Sequence, residues 1–141
     1  MAAVKVALRQ ALELGEKEDP PVTVVVCKKM HHTRFFPSNP RDAVGKAQNV
    51  PPGLVVDRDI LHKDDYDFFM MAHAGIQGTC RPIHYSIVHD ENKMDVDVIQ
   101  AITHALSYTY QRCPRAVKVP APVYYAHLIA ERGRVHLRGQ I

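Results

Sequence analysis

Residues 22–28, Val-Thr-Val-Val-Val-Cys-Lys, constrain the fold more than any other segment, because a nearly continuous β-branched run has little access to a helix and suits an extended strand. With no polar alternation, the run reads as a strand buried on both faces, in the middle of a sheet covered by helices. Asp19-Pro20-Pro21 isolates it from residues 2–16, where Val4, Leu8, Ala11 and Leu12 recur at helical spacing. A helix followed at once by a central strand predicts an α/β layer structure.

The rest of the chain continues that alternation. Residues 36–52 hold Pro37, Pro40, Gly45, Pro51 and Pro52 and read as a long surface connection. Residues 54–60 and 66–74 then read as strands, followed by a third over 83–89. Asp95 is placed to cap a helix running to about Gln111, with Val98, Ile99, Ile102, Leu106 and Tyr110 as its apolar face and Pro114 as its stop. Pro120-Ala121-Pro122 opens a last helix through His127 to about Arg132. No internal repeat or low-complexity tract interrupts this order.

Chemistry concentrates at residues 73–82, His-Ala-Gly-Ile-Gln-Gly-Thr-Cys-Arg-Pro, which follow the aromatic, apolar strand 66–72. Gly75 and Gly78 allow close backbone approach to a ligand, and Gln77, Thr79 and Arg81 offer donors to a polyanion. Locally, a plain glycine turn with Arg81 as a surface cation accounts for the same residues. Charge is segregated along the chain: residues 28–49 carry five Lys/Arg against one acid, residues 54–100 four against nine, and residues 112–141 six against one. If the basic ends meet they make a groove that attracts a nucleic-acid backbone; otherwise they are solvated faces.

Composition narrows the classes. Hydrophobic residues make up 46% of the 141, enough for a core. No apolar run approaches the roughly 20 residues needed to span a bilayer, and the N-terminus does not resemble a signal peptide, so a soluble chain without a membrane partner is expected. Cys27, Cys80 and Cys113 are far apart and odd in number, which argues for a reducing compartment over a disulfide framework. Adjacent His31 and His32 suggest zinc only weakly, because neighbours on an extended segment face opposite ways and no cysteine pair lies nearby.

Residues 73–82 resemble the His-Ala-Gly-Ile-Gln-Gly-Thr-x-Arg-Pro block in the PIWI domain of eukaryotic Argonaute proteins. Further similar blocks occur in compatible order: Lys28-Lys29 with His31-His32-Thr33-Arg34, then Asn49-Val50-Pro51-Pro52-Gly53-Leu54-Val55-Val56-Asp57, Arg112-Cys113, Pro120-Ala121-Pro122 and Tyr124-Tyr125-Ala126-His127-Leu128. The resemblance runs from about residue 23 to 137 and implies an RNase H-like α/β fold, with residues 1–141 as the C-terminal portion of a PIWI domain. It implies a small guide RNA and a target RNA as partners in RNA-mediated gene silencing, with the remaining Argonaute domains beside it in a longer protein. The cytoplasm is the expected location, with the nucleus as the alternative. Sheet edges left uncovered by absent upstream strands would make the isolated chain marginally stable.

The resemblance also assigns roles. Lys29, His32 and Arg34 are guide-backbone residues at the exit of the first strand, where Met30 departs from a basic residue. His73, Ile76, Gln77 and Arg81 are expected to cradle guide phosphates, and Arg112, Arg115, Tyr124, Arg132 and Arg134 to extend the grip, Arg132 toward the guide 5′ phosphate. Tyr125 reads as core packing. PIWI slicers hold two divalent ions, Mg2+ or Mn2+, on carboxylates and a fourth ligand. His127 matches that fourth ligand; the three acidic ligands would lie before Met1, and Asp57, Asp59 and Asp67 do not match them. Tight metal binding and RNA cleavage are therefore not expected of this chain alone. The alternative is a truncated, non-catalytic scaffold or regulatory fragment acting through protein contacts.

Overall fold

A computed structural model describes residues 1–13, 19–61 and 66–138. Its elements are α1 (Ala2–Ala11), β1 (Thr23–Lys28), a 3-10 turn (Pro40–Asp42), β2 (Leu54–Val56), β3 (Tyr66–Met71), β4 (Ile83–Asp90), α2 (Val96–Leu106) and α3 (Ala121–His136). The strands form one sheet in the order β1-β4-β3-β2, with every pair antiparallel. The expected α/β alternation is present in this sheet and its helices.

The position of β1 differs from the expectation. In the described sheet it lies at an edge, paired on one side with β4, and Val26 and Lys28 are exposed. The strand buried on both faces is β3, where Asp67 through Met71 are all buried between β4 and β2. β-Branched residues report an extended backbone that suits a pleated surface, whereas burial depends on which strands flank the segment.

Two apolar layers sandwich the sheet. On one face Phe68, Met70, Ala72, Ile83 and Tyr85 pack with Ile99 of α2 and with Val119; Phe68 and Tyr85 stack with centroids 4.9 Å apart. On the other, Met71 packs with Val50 and Cys80, supported by Phe35 and Leu54. Burial of this kind contributes about 25 cal/mol per Å² of apolar surface, so β3 is the mechanical centre.

The ends of elements moved most. Asp95 does cap α2, its side chain accepting from the Asp97 N–H at 2.9 Å. The helix stops at Leu106, well before Pro114, because Ser107 is fully buried: its Oγ donates to the His104 carbonyl at 2.6 Å and its own carbonyl accepts from Val117 N–H. Tyr110 consequently lies outside the helix, and Val98 and Ile102 of the expected apolar face are 46% exposed. Strand β2 ends at Val56 rather than at 60, and β3 at Met71 rather than at 74. The last helix exceeds the expected end at Arg132 and reaches His136. Residues 14–16 of the expected first helix lie outside the described residues. Among the described residues, no helix is long and apolar enough to cross a membrane.

Candidate nucleic-acid interface

The turn after β3 is held from below by one side chain. Buried Asn49 accepts from the Cys80 N–H at 2.8 Å and donates to the Gly78 carbonyl at 3.0 Å, closing residues 78–80 as a backbone ring would. Gly78 has φ +69°, a conformation that favours glycine. Gly75 is required for a different reason: a Cβ there would stand 2.0 Å from Cys80 Sγ and 3.2 Å from Asn49 Nδ2. The chain can therefore pass beneath itself only at a residue without a side chain. Asn49 itself is presented by the Val44–Asn49 bridge within the long connection.

From this footing the turn forms one wall of an open cavity of about 900 Å³, where His73, Ile76, Gln77 and Arg81 come together. The other wall is the segment after α2, which contributes Arg115 and Lys118, with Tyr124 from α3. Tyr124 stacks on Tyr110 with centroids 4.9 Å apart, fastening that segment to α3. Ile76 is 96% exposed at the lip. The adjoining recess of about 350 Å³, formed by residues 108–114, includes Arg112.

The cavity is electropositive. Burial, and then the charge of Lys118, hold His73 below the usual histidine range, so its ring is neutral near pH 7. Lys118 is itself held below the usual lysine range, by burial first and then by Arg81, Arg34 and Lys29. Among the described residues no carboxylate pairs with Arg34, Arg81 or Lys118. Arg34 donates to the Thr33 carbonyl at 2.8 Å. Such an uncompensated set of cations gives the cavity a positive potential that attracts anions.

The residues expected to take part divide into three groups. His73, Ile76, Gln77, Arg81, Arg115 and Tyr124 line one cavity, and Lys29 and Arg34 act on its charge from the exit of β1. His32 is exposed beside them, as is Arg112 in its neighbouring recess. Arg132 and Arg134 lie farther along α3, outside that cavity, and Arg134 is occupied by Glu131 at 3.0 Å. Tyr125 is a correction: it is exposed rather than in the core, its hydroxyl accepting from the Gln111 N–H at 3.2 Å and its ring tilted against Tyr110. His127 is exposed, with its Nε2 against the Lys29 ammonium.

That pairing bears on metal chemistry. An ammonium beside the ring repels a divalent cation, and the hard ions in question prefer oxygen donors. Among the described residues no group of three His, Cys, Asp or Glu side chains could hold a metal ion. Asp67 is bound by His84 at 2.8 Å and Asp57 by Gln100 at 3.2 Å. The residues present do not fit a two-metal centre.

Three contributors were given no site role by the sequence: Lys118, which sits between two buried valines, Asn49 in the long connection, and His31 beside His32. In the fold, His31 Nε2 lies 2.9 Å from the Pro82 carbonyl and its ring packs edge-on to Phe69, tying the exit of β1 to the end of the turn. Burial keeps its ring below the usual histidine range.

Comparison with known proteins bears on the family and the fold. The family model of the Piwi domain matches residues 2–138. Protein argonaute MEL1 of Oryza sativa subsp. japonica is 50% identical over 137 residues, 95% of this chain. The chain spans only 13% of that relative's length. The solved structure of the C-terminal lobe of a budding yeast Argonaute superposes with a TM-score of 0.83 at 38% identity, covering 94% of this chain and 28% of that one. Kluyveromyces polysporus Argonaute, solved with a guide RNA, gives 0.81 at 38% identity, covering 94% and 17%.

Proposed function

Because the chain belongs to the Piwi domain family, we propose that it grips the sugar-phosphate backbone of a small guide RNA in RNA-guided silencing. The observation that carries this reading is the single cavity in which Arg81 and His73 of the glycine turn meet Arg115 and Lys118. Donors from a turn whose backbone is locked by Asn49 suit phosphate oxygens, which all nucleotides share, so they position a strand without reading bases. A solved neighbour, the Kluyveromyces polysporus Argonaute, holds a guide RNA.

Slicing of target RNA belongs to this reading only where carboxylates from elsewhere in a longer protein complete the set around His127. Within the described residues His127 faces Lys29, and in this reading the chain contributes binding of the strand.

Replacing Arg81, Arg112 and Arg132 with alanine tests the grip. Affinity for single-stranded RNA should fall with little dependence on base sequence, and the slope of log affinity against log salt should shrink by about 0.7 for each phosphate no longer neutralised. Affinity unchanged between roughly 50 and 200 mM salt would refute an electrostatic groove.

A further inference from the structure

Tyr85 is 1% exposed, the bulkiest of the fully buried side chains, and among the described residues its hydroxyl has no hydrogen-bond partner. A phenol so placed gives up its bond to water on folding and gains none in return. The same residue lines an open cavity of about 390 Å³ on the α2 face of the sheet. Val25, Cys27 and Tyr85 of β1 and β4 form its floor, and Ile99, Ile102 and Val123 from α2 and the start of α3 lie across from them. Cys27 and Tyr85 are paired across the two strands, and the charge of one group acts on the other, which sets the hydroxyl end of Tyr85 close to the thiol at that floor.

Among the described residues none that lines the cavity is charged. Burial first, and then Cys27, raise the Tyr85 phenol above its usual range, and burial pushes the Cys27 thiol up to about 11, so both are neutral near pH 7. The chain's own core does not close this space: Ile102 lies at helical spacing with Ile99 and Leu106, yet it is 46% exposed at the rim. Small-molecule sites are hollows of roughly 300–1,000 Å³ with apolar walls and a few polar groups that fix orientation. A single water is a poor occupant, because it needs several polar partners and here meets mostly hydrocarbon. We propose that this cavity binds a small, uncharged, largely apolar molecule carrying one acceptor oxygen, a ketone or ester carbonyl, to which the Tyr85 hydroxyl donates. The cavity shares no lining residue with the electropositive one, so a ligand here is independent of the guide-RNA reading.

The test uses the full chain with camphor, a compact apolar ketone, and camphane, the same hydrocarbon without the oxygen. In methyl NMR spectra camphor should shift Val25, Ile99 and Ile102 and leave Val50, on the other face of the sheet, unmoved; no shift at saturating camphor overturns the site. Tyr85→Phe should weaken camphor binding by about three- to tenfold, the scale of one neutral hydrogen bond, and leave camphane binding unchanged. Camphane bound by the wild-type chain as tightly as camphor would make this a plain apolar docking face, open to any hydrocarbon group of a partner, and would overturn the acceptor assignment. Without ligand, Tyr85→Phe should keep or raise the melting midpoint, since it removes a hydroxyl that has no partner; a lower midpoint would show that the hydroxyl is already satisfied and sink the proposal. Ile102→Trp should fill the cavity from its rim and abolish the shifts, and undiminished binding would place camphor elsewhere. Should either variant not fold, maleimide labelling of the wild-type chain decides: Cys27 slowed by camphor while Cys113 is unaffected supports the site, and an unchanged Cys27 rate overturns it.

Discussion

At His73 two unfavourable settings for a proton coincide, burial of the ring and the nearby charge of Lys118. A phosphate in the cavity would reverse the second and favour the imidazolium, so RNA binding should take up a proton. Affinity is expected to rise as pH falls through the histidine range toward the lowered value of the RNA-free chain. Following the His73 ring by NMR with and without RNA checks this; an identical titration in both states would exclude His73 from the phosphate site. In the free chain the lowered value has the opposite effect on folding. The unfolded chain binds the proton first, so this contribution to stability is complete above about 6.5 and declines as pH falls toward the folded-state value. Gly75 offers a steric test at the same turn. Gly75→Ala should destabilise by about 1–3 kcal/mol, since its Cβ would meet Cys80 Sγ at 2.0 Å. Adding Cys80→Ala should recover part of that loss, read as non-additivity in urea melts.

Among the elements, α1 is attached by charge rather than by packing. None of its residues is buried, and Lys5 reaches Glu91 at the end of β4 at 2.7 Å. Glu91 also accepts from the Val22 N–H at 3.0 Å, and these bonds, that from Lys5 foremost, pull its carboxyl down to about 2. A depressed carboxylate stabilises the fold above its unfolded value, so the support is present above about 4.5 and is lost as pH falls toward about 2. Glu91→Gln should speed hydrogen exchange in α1 while leaving β3 protected, and high salt should act in the same direction. Equal loss of protection in both elements would show that α1 is coupled to the core by something other than this carboxylate. The boundaries of α2 and β1 show what an element's own sequence omits. The stop of α2 is set by buried Ser107 and its bond to Val117, a partner ten residues away, rather than by the nearby proline.

For the whole molecule, the basic stretches on either side of the acidic middle do meet, since charges from 28–34 and 112–118 act at one cavity beside the glycine turn. Binding and metal chemistry separate at this scale. The chain should show no guided RNA cleavage with Mg2+ or Mn2+, because the described residues set His127 against Lys29 with no convergent carboxylates. Incubating guide, target and metal with the purified chain checks this. Site-specific cleavage abolished by chelation would mean that acids such as Asp57, Asp59 or Asp67 serve as ligands after all.

The local order of the chain was legible without coordinates. β-Branched runs, proline stops, the Asp95 cap and the glycine turn are short-range signals, and each is written in the residues that form it. Membership in a family was legible for the same reason, because the matching blocks are contiguous. Which strand is central, where α2 stops, and which cation stands at the centre of the cavity depended on partners distant in sequence: β4 beside β1, Val117 on Ser107, and Arg81, Arg34 and Lys29 around Lys118. Burial and electrostatic environment are properties of neighbours in space, and only the tertiary structure supplies those neighbours.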